Sequence, residues 1–187
     1  MRKLLVVVLV AMMATGAIVA VGCGGDTSQS KQYMQEGDKA WKDAKKQLDE
    51  LNTMLTTSIG QAQQGNFSSL NAETMAKAGE TVAKLITDLQ TVKADYVKIK
   101  TLKGVEDYVL YADAMVKAVE ANGAALQAGN KLLAAILPLL AAGDAQKVTA
   151  WMQANMAELL GAQKTAEAAT AALEAAAKIK AEKKLGQ

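Results

Sequence analysis

The side chains that most often carry enzymatic chemistry are scarce in this chain of 187 residues, which contains no histidine and a single cysteine, Cys23. The lack of histidine removes the usual general base, the commonest metal ligand and any histidine-based triad. One cysteine cannot form a disulfide or a multi-cysteine zinc site within the chain. The sequence also has no Gly-rich phosphate loop placed between a strand and a helix. We therefore expect no enzyme, no metal and no organic cofactor.

Two asparagines interrupt otherwise apolar patterns and are the first candidate binding residues. Asn130 precedes Gly143 by 13 residues and Asn155 follows it by 12. If Gly143 joins two antiparallel helices, both amides lie near the same level. They would then either pair with each other and fix the helix register, or face a polar cavity that binds a small ligand.

The only proline, Pro138, lies between these asparagines. Proline inside a helix removes the hydrogen bond to the carbonyl four residues earlier, here that of Ala134. It would either steer the chain into the Gly143 turn or open a gap for an apolar or aromatic ligand. The candidate ligand-binding residues are Leu132, Ile136, Trp151, Met152, Asn130 and Asn155.

The amino terminus combines Arg2 and Lys3 with an uncharged run over residues 4–22. Such a run is just long enough to span a hydrocarbon core of about 30 Å, so a membrane-spanning anchor is one interpretation. The other is a secretory signal, which has the same basic start and ends in small residues. The closing sequence Ala20-Val21-Gly22-Cys23 resembles the lipobox of bacterial lipoproteins, in which small residues precede an essential cysteine.

The lipoprotein resemblance implies that residues 1–22 are a signal peptide that is cleaved before Cys23. It further implies a diacylglyceryl group on the Cys23 thiol and acylation of the new amino terminus. Two or three acyl chains are enough for stable membrane anchoring. We therefore expect a membrane protein that is lipid-anchored on the extracytoplasmic face.

Cleavage changes the charge of the protein, because Arg2 and Lys3 leave with the signal. The remaining chain would carry 19 lysines, no arginine and 19 acidic residues. Phosphate neutralisation and base recognition rely on basic side chains, arginine above all. This composition argues against nucleic acid as a partner.

Apolar residues recur at alternating steps of three and four along most of the remaining chain, a pattern typical of packed helices. We predict helices over residues 31–59, 70–102, 105–142 and 144–183, with turns near Gly65, Gly104 and Gly143. The predicted fold is all-α, an antiparallel up-down-up-down four-helix bundle with coiled-coil spacing. Residues 23–32 would be a lipidated, flexible tether, and residues 33–187 the bundle.

Aromatic residues and lysines gather at the predicted end of the bundle nearest Cys23. They would either close that end of the core or rest on the membrane, with lysines toward anionic head groups. The residues concerned are Tyr33, Trp41, Tyr96, Tyr108, Tyr111, Lys98, Lys100, Lys103, Lys178, Lys180, Lys183 and Lys184.

The function expected from these features is a non-catalytic, lipid-anchored helical bundle that acts through an unidentified protein partner or as a cell-envelope component. The alternative is a lipoprotein that binds a small apolar or aromatic molecule near Pro138 and Trp151. Fold alone does not choose between them.

Overall fold

The computed structural model describes residues 26–63, 72–143 and 145–186, and every regular element in those ranges is an α-helix. The prediction of an all-α chain is confirmed for this part of the protein. The helices are α1 (Asp26–Gln63), α2 (Ala72–Ile99), α3 (Glu106–Ala141), α4 (Ala145–Ala154) and α5 (Met156–Glu182).

Helix α1 begins at Asp26, so residues 26–32 are helical. The prediction that they belong to a flexible tether was wrong. Asp26 places a carboxylate in the first turn, where the positive end of the helix dipole favours it. Ser30 is fully buried and its hydroxyl donates to the Thr27 carbonyl oxygen at 3.0 Å. Packing of this turn extends the folded domain to within three residues of Cys23.

Two of the predicted turns lie at glycines whose backbone is left-handed, with φ of +69° at Gly104 and +68° at Gly143. This region of backbone space is costly for residues with a Cβ, which explains glycine at both places. The last predicted helix is divided at Asn155 into α4 and α5. Helix α3 continues through Pro138 to Ala141.

The predicted apolar patterns form most of the core. On α2 the buried residues Val82, Leu85, Leu89, Val92 and Ile99 recur at steps of three, four and seven. Helix α1 contributes a matching row of buried residues, Ala44, Leu48, Leu51 and Leu55. Each fully buried leucine stabilises the fold by about 1.5–3 kcal/mol, so these rows are a main source of stability.

Helix α1 packs along α2, α2 along α3, and α3 along α5, which follows it after the short helix α4. The contact between α3 and α5 is the most extensive, because α5 presents the buried alanines Ala162, Ala166, Ala169 and Ala176. Small side chains let two helix backbones approach closely. The alanine-rich helix α5 stays helical to Glu182.

Candidate functional site

A partly buried cluster of polar side chains joins four helices, with Asp38 of α1 at its centre. The Tyr96 and Tyr111 hydroxyls, from α2 and α3, both donate to Asp38 Oδ1, at 2.5 Å and 2.6 Å. Lys180 Nζ, from α5, donates to Asp38 Oδ2 at 2.5 Å. Each helix contributes one residue. We call Asp38, Tyr96, Tyr111 and Lys180 the Asp38 cluster.

The residue before Asp38 makes room for the cluster. A Cβ added to Gly37 would lie 2.9 Å from Tyr96 Cζ, closer than side chains approach in folded proteins. Gly37 therefore allows the Tyr96 ring to lie against the α1 backbone. The Tyr96 and Tyr111 rings meet edge to face, with centroids 5.8 Å apart and an interplanar angle of 81°.

Lys180 is unusual because its side chain is only 4 % exposed, whereas the Asp38 side chain is 27 % exposed. A buried ammonium group is costly unless it is paired. Here Asp38 supplies the opposite charge, and the Tyr111 ring lies 5.4 Å below the ammonium, measured to its centroid. The carboxylate and the ring together compensate for much of the hydration that Lys180 loses.

The electrostatics of the cluster hold both tyrosines in the protonated form. Burial raises the pKa of the Tyr96 hydroxyl well above its usual range, and the nearby Tyr111 and Asp38 raise that pKa further. Burial, followed by the negative charge of Asp38, also raises the pKa of Tyr111. A tyrosine that acts as a base or nucleophile near neutral pH needs its pKa lowered toward neutrality. These hydroxyls are instead hydrogen-bond donors, and the cluster has the chemistry of a structural clamp.

Five of the seven lysines predicted to gather at this end of the protein are paired with acidic partners on the same molecule. Lys98 pairs with Asp95 at 2.6 Å, and its ammonium lies 5.4 Å from the Tyr33 ring centroid. Lys100 pairs with Asp113 at 2.6 Å and Lys183 with Asp107 at 2.8 Å.

The aromatic side chains at this end mostly close the core. Tyr96, Tyr108 and Tyr111 are buried, and Tyr33 and Trp41 are partly buried against the same core. This agrees with the first of the two roles expected for them.

The residues predicted to bind a ligand are only partly brought together. Leu132, Ile136 and Met152 are buried in the common core, and Trp151 is partly buried against it. These four side chains therefore take part in core packing. A ligand between them stays a prediction.

The two asparagines do not form the expected pair. Asn130 is exposed, because the buried face of α3 passes through Leu126 and Gly129 and leaves position 130 beside it. The Asn155 amide donates to the Trp151 carbonyl oxygen of the preceding turn at 2.8 Å, where the helix is interrupted. The prediction that both amides lie in the core was wrong for Asn130.

The sequence patterns, carried one step further, would have reached the cluster. The apolar row of α1 that includes Trp41 continues three residues earlier to Asp38. The row of the last helix that includes Ala176 continues four residues later to Lys180. A carboxylate and a lysine that continue two apolar rows are a signal of a buried ion pair. Gly37 gave no comparable signal.

Other polar features are less organised. Asn52 of α1 is buried, and neither polar atom of its side chain has a hydrogen-bond partner. A shallow groove of about 400 Å³ lies between α1 and α2 and is lined by Thr53, Met54, Thr57, Ser58, Glu73, Thr74 and Lys77.

Comparisons with models of known families, with curated proteins and with solved structures give no match to this chain. In the part that the structure describes, no helix is long and apolar enough to cross a membrane. The same residues contain no group of three or more acidic or cysteine side chains placed to hold a metal ion. Cys23 and the apolar run before it lie outside the described residues.

Proposed function

We propose that the protein is a lipoprotein, anchored through Cys23 to the extracytoplasmic face of a membrane, whose helical domain has no catalytic activity. It acts through a protein partner or as a structural component of the cell envelope. The observation that carries this proposal is the sequence Ala20-Val21-Gly22-Cys23 after an uncharged run. The start of α1 at Asp26 is compatible with cleavage before Cys23, because the helices that the structure describes all lie after the cysteine.

The architecture that we propose is an antiparallel up-down-up-down four-helix bundle, with α4 and α5 together forming the fourth helix. The Asp38 cluster supports this arrangement. Residues near the beginning of α1 and α3 meet residues near the end of α2 and α5 at one point. When neighbouring helices are antiparallel, the beginning of one lies beside the end of the next, as in this cluster.

The non-catalytic role is supported by the chemistry of the polar residues. In the Asp38 cluster each donor is directed at one carboxylate, and the hydroxyl pKa values are raised rather than lowered. The sequence has no histidine that could act as a base. We infer that the residues of the Asp38 cluster hold helices together.

Metabolic labelling with radioactive palmitate tests the proposed anchor. We expect label in the wild-type chain and none in Cys23→Ser, and we expect Thr27→Ser to keep the label as a control for substitution near the cleavage site. Palmitate incorporation that survives in Cys23→Ser, or an unlabelled and uncleaved wild-type chain, would contradict the proposal. The second outcome would favour a spanning helix over residues 4–22.

The mode of action is tested by native mass spectrometry of the protein released from its own membrane in mild detergent. We expect a co-purifying protein, or the chain alone if its role is structural. A retained small molecule would instead favour the alternative of a ligand-binding lipoprotein.

A further inference from the structure

The distance between the proposed lipid and the folded domain has a strict upper limit. Only Gly24 and Gly25 separate Cys23 from Asp26, where α1 begins. Consecutive Cα atoms are 3.8 Å apart, so the Cα atoms of Cys23 and Asp26 are at most about 11 Å apart in any conformation. Helix α1, with 38 residues, is about 57 Å long at 1.5 Å per residue. The linker of Gly24 and Gly25 is thus short compared with the domain that it would attach to the lipid.

Contacts identify which parts of the other helices share the anchored end. Lys98, next to the end of α2, lies over the ring of Tyr33 in α1. Asp38 joins the beginning of α3 through Tyr111 and the end of α5 through Lys180. The turn at residues 101–104 and the carboxyl-terminal turn at residues 183–186 therefore lie at the same end as Asp26.

Exposed apolar side chains are concentrated at this end. The large hydrophobic residues with exposed side chains in the described chain are Val97, Leu110 and Leu160, at 40 %, 49 % and 49 %. Val97 lies two residues before the end of α2, and Leu110 four residues after the beginning of α3. Two of the three thus flank the turn at residues 101–104. The outer face of α1, in contrast, presents charged residues of both signs and no large exposed hydrophobic residue.

We propose that this end of the domain, comprising the turn at residues 101–104 with Val97 and Leu110, rests on the phospholipid head groups while the helices lead away from the bilayer. The inference depends on the lipid anchor proposed above. The short linker keeps the turn at residues 101–104 near the membrane surface at a high effective concentration, and the Val97 and Leu110 side chains enter the membrane interface. Lys98, Lys100 and Lys183 are already paired with acidic side chains, so the charge that this end offers to head groups comes mainly from exposed lysines such as Lys103 in the turn.

The experiment uses the full-length, lipidated chain in phospholipid vesicles that contain lipids spin-labelled at the head group. The only native cysteine would be acylated, so a fluorophore attaches only to an introduced cysteine. Thr101→Cys places it at the anchored end. Ala142→Cys places it beyond the end of α3, a helix of 36 residues and thus about 54 Å long. Both positions are exposed.

We expect strong quenching at position 101 and at least fivefold less at position 142. Insertion of 15 Gly and Ser residues between Gly25 and Asp26 should reduce quenching at position 101 several-fold. In this lengthened chain Leu110→Asn should reduce the quenching at position 101 further. Leu160→Asn is the matched control, because Leu160 is as exposed as Leu110, and it should leave the quenching unchanged. Circular dichroism checks that each variant is folded.

Equal quenching at positions 101 and 142, or no effect of the inserted residues, would overturn the inference while leaving the lipid anchor intact. An equal effect of Leu110→Asn and Leu160→Asn would overturn the role of the apolar side chains. Failure of the anchor itself is distinguished beforehand, because mass spectrometry would then detect no acyl group on Cys23.

Discussion

Lys180 in the last helix donates to Asp38 in the first at 2.5 Å, across 142 positions in the sequence. The lysine side chain is 4 % exposed. The same carboxylate accepts both tyrosine hydroxyls of the cluster, so one side chain of α1 holds residues of three other helices. The alanine-rich end of α5 buries little apolar area per residue, and the ion pair secures it at that point.

Removal of the carboxylate charge should be strongly destabilising. Asp38→Asn leaves the buried ammonium of Lys180 without a counter-charge, and breaking a buried pair in this way costs about 3–5 kcal/mol. We expect a decrease near the lower end of that range in the free energy of unfolding by urea, since Asp38 is partly exposed. Asp43→Asn, at an exposed position of the same helix, is the control. Equal unfolding midpoints for the two variants would show that the cluster does not clamp the helices.

Removal of both charges should be less harmful than removal of the carboxylate charge alone. Asp38→Asn alone leaves the Lys180 ammonium buried without a counter-charge, and Lys180→Met removes that ammonium. The double variant should therefore be more stable than Asp38→Asn by about 1–3 kcal/mol. A double-mutant cycle from urea denaturation measures this coupling. Additive effects of the two substitutions would indicate that the short contact carries no net interaction energy.

Gly37 and Gly79 should respond in opposite directions to alanine. At Gly37 the new Cβ would meet the buried Tyr96 ring at 2.9 Å, and overpacking of this kind costs about 1–3 kcal/mol. At Gly79 no atom beyond the neighbouring residues and the adjacent backbone of the same helix lies within 4 Å of the new Cβ, so alanine should gain up to about 1 kcal/mol from its better helix propensity. Thermal unfolding compares the two, and a Gly37→Ala protein as stable as Gly79→Ala would contradict the close approach of Tyr96.

Stability should decrease at high pH because of the buried tyrosines. Their folded-state pKa values lie above the ordinary value of 10.0 that applies in the unfolded chain. Above pH 10 the tyrosines of the unfolded state therefore lose protons that the folded state keeps. The stabilisation that the protonated tyrosines give the folded state is thus complete below pH 10 and is lost as pH rises. Each such tyrosine lowers the free energy of unfolding by about 1.4 kcal/mol per pH unit.

The measurement is urea denaturation from pH 8 to pH 11, compared with Tyr111→Phe. The variant should show a shallower alkaline slope, smaller by about 1.4 kcal/mol per pH unit, whatever its stability at pH 8. Identical slopes in the two proteins would mean that Tyr111 ionises in the folded state as easily as in the unfolded state.

The helices were predictable because their apolar rows are long and regular, and the rows that include Leu85 and Leu51 are buried as expected. The beginning of α1 was missed because residues 26–32 are small and polar, and only packing of Ser30 shows that they fold. Asn130 was misplaced because the buried row of α3 runs through Tyr108, Met115, Asn122 and Gly129 at steps of seven, so position 130 lies one residue beside that row.

The Asp38 cluster was only partly predictable, because the apolar rows indicate a buried Asp38–Lys180 ion pair but not the two tyrosines that join it. Tyr96, Tyr111 and Lys180 were all assigned to the end of the bundle nearest Cys23, but nothing in their spacing shows that they converge on one carboxylate. That convergence depends on the rotation of four helices about their axes and on the space that Gly37 leaves for a ring. Both are properties of the packed structure.

The most direct test of the proposed function is the intact mass of the mature protein extracted from its own membrane. The lipoprotein account predicts a chain that begins at Cys23 and carries the added mass of a diacylglyceryl group, with or without a further acyl chain on the amino terminus. A chain of unmodified mass that still includes residues 1–22 would contradict it.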